Sequence, residues 1–118
     1  MTWPAIKGGL APRQLRRILV HIDEHLADKL LTRNLAAVVG LAPHYFSHAF
    51  KASTGLPPHR YIADQRIRRA QHLLQHTRRP IADIAGLCGF SSQSHFTQIF
   101  RHATGLPPAQ FRRRLAGR

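Results

Sequence analysis

The side chains in this sequence that could do chemistry are nine histidines, one cysteine, five acids and two recurring polar sets. Three histidine pairs stand four residues apart: His21 and His25, His44 and His48, His72 and His76. On a helix that spacing puts both rings on one face, as in zinc sites. A tetrahedral site needs further ligands, and no pair has a nearby Cys or a second carboxylate-rich element to complete one. The pairs therefore read as polar surface, and no metal or cofactor is expected. Cys88 could be a redox sensor or a nucleophile, but it falls between Leu87 and Phe90, where a packed small residue is the better expectation. The acids Asp23, Glu24, Asp28, Asp64 and Asp83 form no acid–base pair, and three of them share the N-terminal helical stretch. Asp83 suits the start of a helix, where the dipole favours a negative charge. No phosphate-binding Gly loop and no Ser-His-Asp order is present, so an enzyme is not expected. The two polar sets remain. His44, Ser47, His48 and Lys51 form one; Ser94, His95, Gln98 and Arg101, with Thr97 at the edge, form the other. Such groups can donate to or accept from base edges, and none is an acid.

Charge points the same way. Eighteen Lys and Arg against five acids give a net charge of +13 over 118 residues. Such an excess self-repels unless a polyanion is the partner. Nucleic acid is the first candidate and an anionic membrane surface the second. The Arg112-Arg113-Arg114 tail permits the second, but no strongly apolar opposing face supports it. No apolar run approaches the ~20 residues that span a bilayer. Residues 1–7 carry no signal-peptide pattern, and a single cysteine fits a reducing compartment, so a cytoplasmic location is expected. Hydrophobic residues at 43% suffice for a modest core.

The elements that must position the polar sets are duplicated. Thr54-Gly55-Leu56-Pro57-Pro58 recurs as Thr104-Gly105-Leu106-Pro107-Pro108, an offset of 50. Phe46, Phe50 and Tyr61 match Phe96, Phe100 and Phe111 at that offset. Upstream the offset is 49: Leu35-Ala36 aligns with Ile84-Ala85, and Gly40-Leu41 with Gly89-Phe90. The second copy thus has one extra residue just after Gly89-Phe90. Each copy reads as helix, turn, helix. In the first, Thr32 is expected to cap a short helix to Val39, Gly40 to stop it and Pro43 to open the next. The inner face of that helix is Phe46, Ala49, Phe50 and Ser53. In the second, a helix runs from Pro80 to about Cys88 and Gly89 ends it. Ser91 or Ser92 caps the following helix, with Phe96, Ile99, Phe100 and Ala103 facing inward. Ala36, Ala37 and Ala85 allow close helix approach. A long helix is expected over Pro12 to Leu31 from Leu15, Ile18, Leu19, Ile22, Leu26 and Leu30. Another, with Ile67, Ala70, Leu73 and Leu74, bridges the copies from Arg60 to Gln75, and a short one covers Pro108 to Leu115. No strand signal is present. The expected division is a flexible leader (1–11), a first subdomain (12–59), a linker helix (60–76) and a second subdomain (77–118).

A short helix, a tight turn and a second helix with a polar outer face is the arrangement that places side chains in a major groove. From about Leu15 to Arg114 the chain resembles the DNA-binding domain of the AraC/XylS transcription regulators. The resemblance rests on Ile81-Ala82-Asp83-Ile84-Ala85, on Cys88 through Phe96, on Phe100, Gly105 and Pro107-Pro108, and on Arg66, Ala70 and Leu73-Leu74 in the linker. It implies an all-α fold of seven helices, two helix-turn-helix subdomains and a central linker helix. It further implies sequence-specific binding to double-stranded DNA, with recognition helices in successive major grooves. The family's base-contacting positions fall on His44, Ser47, His48, Ser94, His95 and Gln98. Phosphate contacts are expected from Arg33, Lys51, Arg78, Arg79, Thr97 and Arg101, and from the helix start at Ser91, Ser92 and Gln93. His48 and Gln98 stand where many members carry Arg, so the location of readout carries over and the preferred bases do not. The resemblance implies a monomeric domain, RNA polymerase as a further partner in activation, and dimerisation through a sensing domain that family members usually carry. The alternative is a non-specific, architectural nucleic-acid binder using the same charge.

Overall fold

A computed structural model of the chain describes residues 7–116. Among them are seven helices and no strand: α1 (Pro12–Glu24), α2 (Thr32–Val38), α3 (Pro43–Thr54), α4 (Pro58–His76), α5 (Ile81–Leu87), α6 (Gln93–Thr104) and α7 (Pro108–Ala116). They form two compact units that divide between Ala63 and Asp64.

In the first unit the apolar stripe of α1, Leu15, Ile18 and Ile22, meets Leu35 and Ala36 of α2 and Phe46, Ala49 and Phe50 of α3. In the second, Ile67, Ala70 and Leu74 of α4 meet Ile84 and Ala85 of α5, Cys88, and Phe96 and Phe100 of α6. All four core phenylalanines are fully buried, each contributing about 2–3 kcal/mol of hydrophobic stabilisation. Their packing repeats: Phe46–Phe50 centroids are 5.7 Å apart and Phe96–Phe100 5.5 Å. Tyr61 meets Phe50 edge-on at 5.4 Å, as Phe111 meets Phe100 at 5.2 Å.

The repeated sequence motifs are the helix boundaries. Gly40 and Gly89 adopt positive φ of 69° and 85°. At each, two N–H groups return to the preceding helix: Gly40 to Ala37 O and Leu41 to Ala36 O, then Gly89 to Gly86 O and Phe90 to Ala85 O. That pairing closes the helix C-terminus and starts a tight turn, and glycine takes the left-handed position without a Cβ penalty. At the far end, the Thr54 hydroxyl lies 3.0 Å from Phe50 O and accepts the Leu56 N–H at 3.2 Å. Thr104 repeats this with Phe100 O at 2.8 Å and the Leu106 N–H at 3.3 Å. Pro58 and Pro108 then open α4 and α7, at a position whose N–H would have no partner within the helix.

Several sequence expectations change. α1 ends at Glu24 instead of reaching Leu31; the chain turns at His25, and Leu26 enters the core from the turn. Thr32 is the first residue of α2 and not its cap; that place is Leu31, which has no side-chain acceptor. Ala37 is exposed while Ala36 and Ala85 are buried. Ile99, 36% exposed, and Ala103, also exposed, do not face inward. Their counterparts differ because Leu10 returns to α3: it is buried in the first core, and its N–H donates to Ser53 Oγ at 2.8 Å. The inner end of the 1–11 leader is therefore packed, and residues 1–6 of it lie outside the described residues.

Candidate nucleic-acid interface

Burial of Phe46, Ala49 and Phe50 fixes the rotation of α3 about its axis. His44, His48 and Lys51 are consequently exposed, with Ser47 half-exposed. The His44 and His48 rings meet edge-on with centroids 4.5 Å apart. In α6 the burial of Phe96 and Phe100 leaves Ser94, His95, Gln98 and Arg101 exposed and Thr97 half-exposed. Gln93, Ser94, Thr97, Gln98, Arg101 and His102 line one open concave surface. The two predicted sets of base-contacting residues thus each lie together on the solvent side of one helix.

The start of α6 is built differently from that of α3. Ser92 takes the cap position in extended conformation, and its Oγ accepts the His95 N–H at 3.0 Å. Ser91 Oγ lies 3.2 Å from His95 Nδ1, and the His95 ring meets Phe90 edge-on at 5.9 Å. The extra residue of the second copy supplies this serine pair. In α3, Ala42 stands at the cap with no side-chain acceptor, and Pro43 follows.

Arg33, in the first turn of α2, and Arg78 and Arg79, between α4 and α5, are exposed, as are Ser91, Ser92 and Gln93. The backbone carrying Arg79 is held: its N–H donates to Thr77 Oγ1 at 3.3 Å, and its carbonyl accepts from Arg112 Nη1 at 2.7 Å. Arg112 also donates to Leu74 O at 3.2 Å and Thr77 O at 3.3 Å. It is committed to tying α7 to the end of α4, so the Arg112–Arg114 tail is not a free run of three charges. None of the five acids belongs to α3 or α6, and Asp64 is paired with Arg68 at 3.0 Å. Both polar faces therefore carry cations without a carboxylate on the same helix.

Of the histidine pairs, His44, His48, His72 and His76 are exposed, whereas His21 and His25 are half-buried. His21 and His25 stack at 4.2 Å and His72 and His76 lie at 4.4 Å. Partial burial, and then the neighbouring His25, hold the His21 imidazole below its ordinary value. Among the described residues no group of three or more potential ligands is gathered around a metal position. Cys88 is fully buried, and burial pushes its thiol up to about 11 against a smaller opposing pull from Arg69 and Arg66. That makes it a packing residue at neutral pH. Among the described residues no helix is long and apolar enough to cross a membrane.

Sequence reasoning passed over Tyr45, which stands 57% exposed in the first turn of α3. The signal was available, since the offset of 50 aligns Tyr45 with His95.

Two helix pairs, each presenting a polar, carboxylate-free helix, define a double helix-turn-helix module. A family model described as a helix-turn-helix domain matches residues 35–114. A protein named "Probable transcriptional regulator LumQ" from Photobacterium leiognathi is 36% identical over 100 residues, 83% of this chain and 40% of LumQ. The transcriptional activator RhaS of Enterobacter sp. (strain 638) is 32% identical over 99 residues, 84% of this chain and 36% of RhaS. The chain thus spans well under half the length of these relatives. Among solved structures, the DNA-binding domain of the transcriptional factor AdpA in complex with a target DNA superposes with a TM-score of 0.84 at 29% identity, covering 88% of this chain and 94% of that one. An AraC-type regulator from Chromobacterium violaceum gives 0.80 at 30% identity, covering 88% and 93%. The chain belongs to the AraC-type helix-turn-helix family of transcription regulators.

Proposed function

We propose that the chain binds double-stranded DNA sequence-specifically and regulates transcription, with α3 and α6 as its two recognition helices. The observation that carries this reading is the duplicated presentation of polar, acid-free faces on α3 and α6 in a chain of charge +13. His44, Ser47, His48, Ser94, His95 and Gln98 read base edges. Arg33, Lys51, Arg78, Arg79, Thr97 and Arg101 hold phosphates, together with the start of α6 at Ser91, Ser92 and Gln93. The module binds as a monomer, acts in the cytoplasm at the nucleoid, and activates through contact with RNA polymerase. The crystallised AdpA domain with its target DNA supports the mode of binding.

Titrations against a duplex selected from a random pool, and against an unrelated duplex, test this. Replacing His48 and Gln98 by Ala lowers the ratio of the two affinities at least tenfold, since each good base contact discriminates by about 1–3 kcal/mol. Arg78→Ala and Arg101→Ala weaken both complexes alike and each reduce the salt slope by about one. An unchanged affinity ratio in the double variant defeats sequence readout and leaves a non-specific binder.

A further inference from the structure

Tyr45 belongs to neither proposed contact set, yet it stands on the same helix between His44 and Phe46. Among the described residues its ring and hydroxyl have no partner, although the ring is large and 57% exposed. Successive residues of an α-helix are about 100° apart around the axis. With Phe46, Ala49 and Phe50 pointing into the core, His44, His48 and Lys51 occupy the opposite side. Tyr45 and Ser47 then fall on the two flanks, each about 100° from the core direction. A helix with side chains is about 10–12 Å across, and a major groove is about 12 Å wide. The outermost residues of a helix lying there face base edges, as does a short flank side chain such as Ser47, whereas a long side chain on a flank reaches the phosphate wall. A tyrosine on a flank presents a neutral O–H donor, at the end of a rigid ring, to a wall of acceptors. The counterpart in α6 is held differently: His95 Nδ1 lies 3.2 Å from Ser91 Oγ and its ring meets Phe90, which leaves Nε2 for the base edge proposed above. The first unit has no serine pair at this turn, so Tyr45 is left to reach outward.

We infer that Tyr45 is a DNA phosphate contact of the first unit, its hydroxyl donating to a phosphate oxygen beside the groove that α3 enters. The inference rests on the DNA-binding reading above.

The test uses Tyr45→Phe, which removes the hydroxyl and keeps the ring, with melting of both proteins confirming that the fold is untouched. Dissociation constants are measured on the selected and the unrelated duplex over a range of salt. The expected result is binding weakened about tenfold or more on both duplexes, the yield of one hydrogen bond to a charged acceptor. The affinity ratio and the salt slope stay as in the parent chain, because a neutral donor releases no counterion. A duplex with one neutral methylphosphonate at the contacted phosphate then binds parent and variant equally. Equal binding of the two proteins to unmodified DNA overturns the inference. So does a loss confined to the selected duplex, which would make Tyr45 a base reader. Failure of the parent chain to prefer any sequence defeats the wider reading instead, while the loss on the unrelated duplex still reports on Tyr45.

Discussion

Removing the Arg112 side chain should destabilise the second unit far more than removing that of Arg113, although each change deletes one positive charge from α7. Arg112 donates to three carbonyls, Leu74 O at 3.2 Å, Thr77 O at 3.3 Å and Arg79 O at 2.7 Å, whereas Arg113 is exposed. A hydrogen bond from a charged donor contributes about 1.5–3 kcal/mol net. Two of the three bonds are long and the short one is exposed, so the set is worth roughly one fully effective bond, about 1.5–3 kcal/mol. For a chain of this size that lowers the melting midpoint by roughly 6–12 °C. Arg113→Ala, a surface change, should stay within about 0.5 kcal/mol of the parent. Relief of self-repulsion in a +13 chain is common to both variants, so their difference isolates the hydrogen bonds. Thermal melts followed by circular dichroism give the magnitude. Hydrogen exchange should place the loss of protection in α7 and at the end of α4. Midpoints for the two variants that agree within 2–3 °C, a spread of roughly half a kcal/mol, would refute the assignment.

Ser92→Ala removes the only side-chain cap seen among the described helices of the two recognition pairs. It should cost about 1 kcal/mol in urea unfolding, and Ser92→Gly only a few tenths; equal losses would argue against the Oγ–His95 N–H bond. Cys88 should resist a thiol reagent at pH 8: with its thiol pushed up to about 11, roughly one molecule in a thousand is thiolate in the folded chain. Labelling should therefore follow unfolding, rising sharply with urea, and rapid labelling without denaturant would contradict the packed position. Gly105→Ala should destabilise by about 1 kcal/mol, because Gly105 sits at φ 86° with open space around it, leaving backbone strain as the sole penalty. A midpoint unchanged by that substitution would show that the turn relaxes freely.

Much of this architecture is legible in local sequence because local residues terminate the helices. Gly40, Gly89, the two Thr-Gly-Leu-Pro-Pro strings and the four core phenylalanines fix where helices stop and which faces are buried. The turn at His25 is not legible, since no glycine or proline marks it and Leu26 and Leu30 continue the helical spacing. Ile99 and Ala103 mislead for a non-local reason. Ser53 is satisfied by Leu10 from the other end of the unit, and repeat symmetry carries that face over to α6, where Ala103 is exposed. Arg112 is hidden for a similar reason. The offset of 50 aligns it with Ile62, a buried residue of the first core, while its three acceptors lie 33–38 residues away. In the candidate interface, the outer faces of α3 and α6 follow from periodicity once the inner faces are known. The flank position of Tyr45 emerges only when rotation about the helix axis is fixed by burial.

The central claim is that both recognition helices read sequence. Selection of bound duplexes from a random DNA pool, with the parent chain and with the His48→Ala, Gln98→Ala double variant side by side, tests it most directly. Two short boxes with centres about 10 base pairs apart, both blurred in the variant, are the predicted result. Tight binding at low salt with no enriched sequence would contradict it.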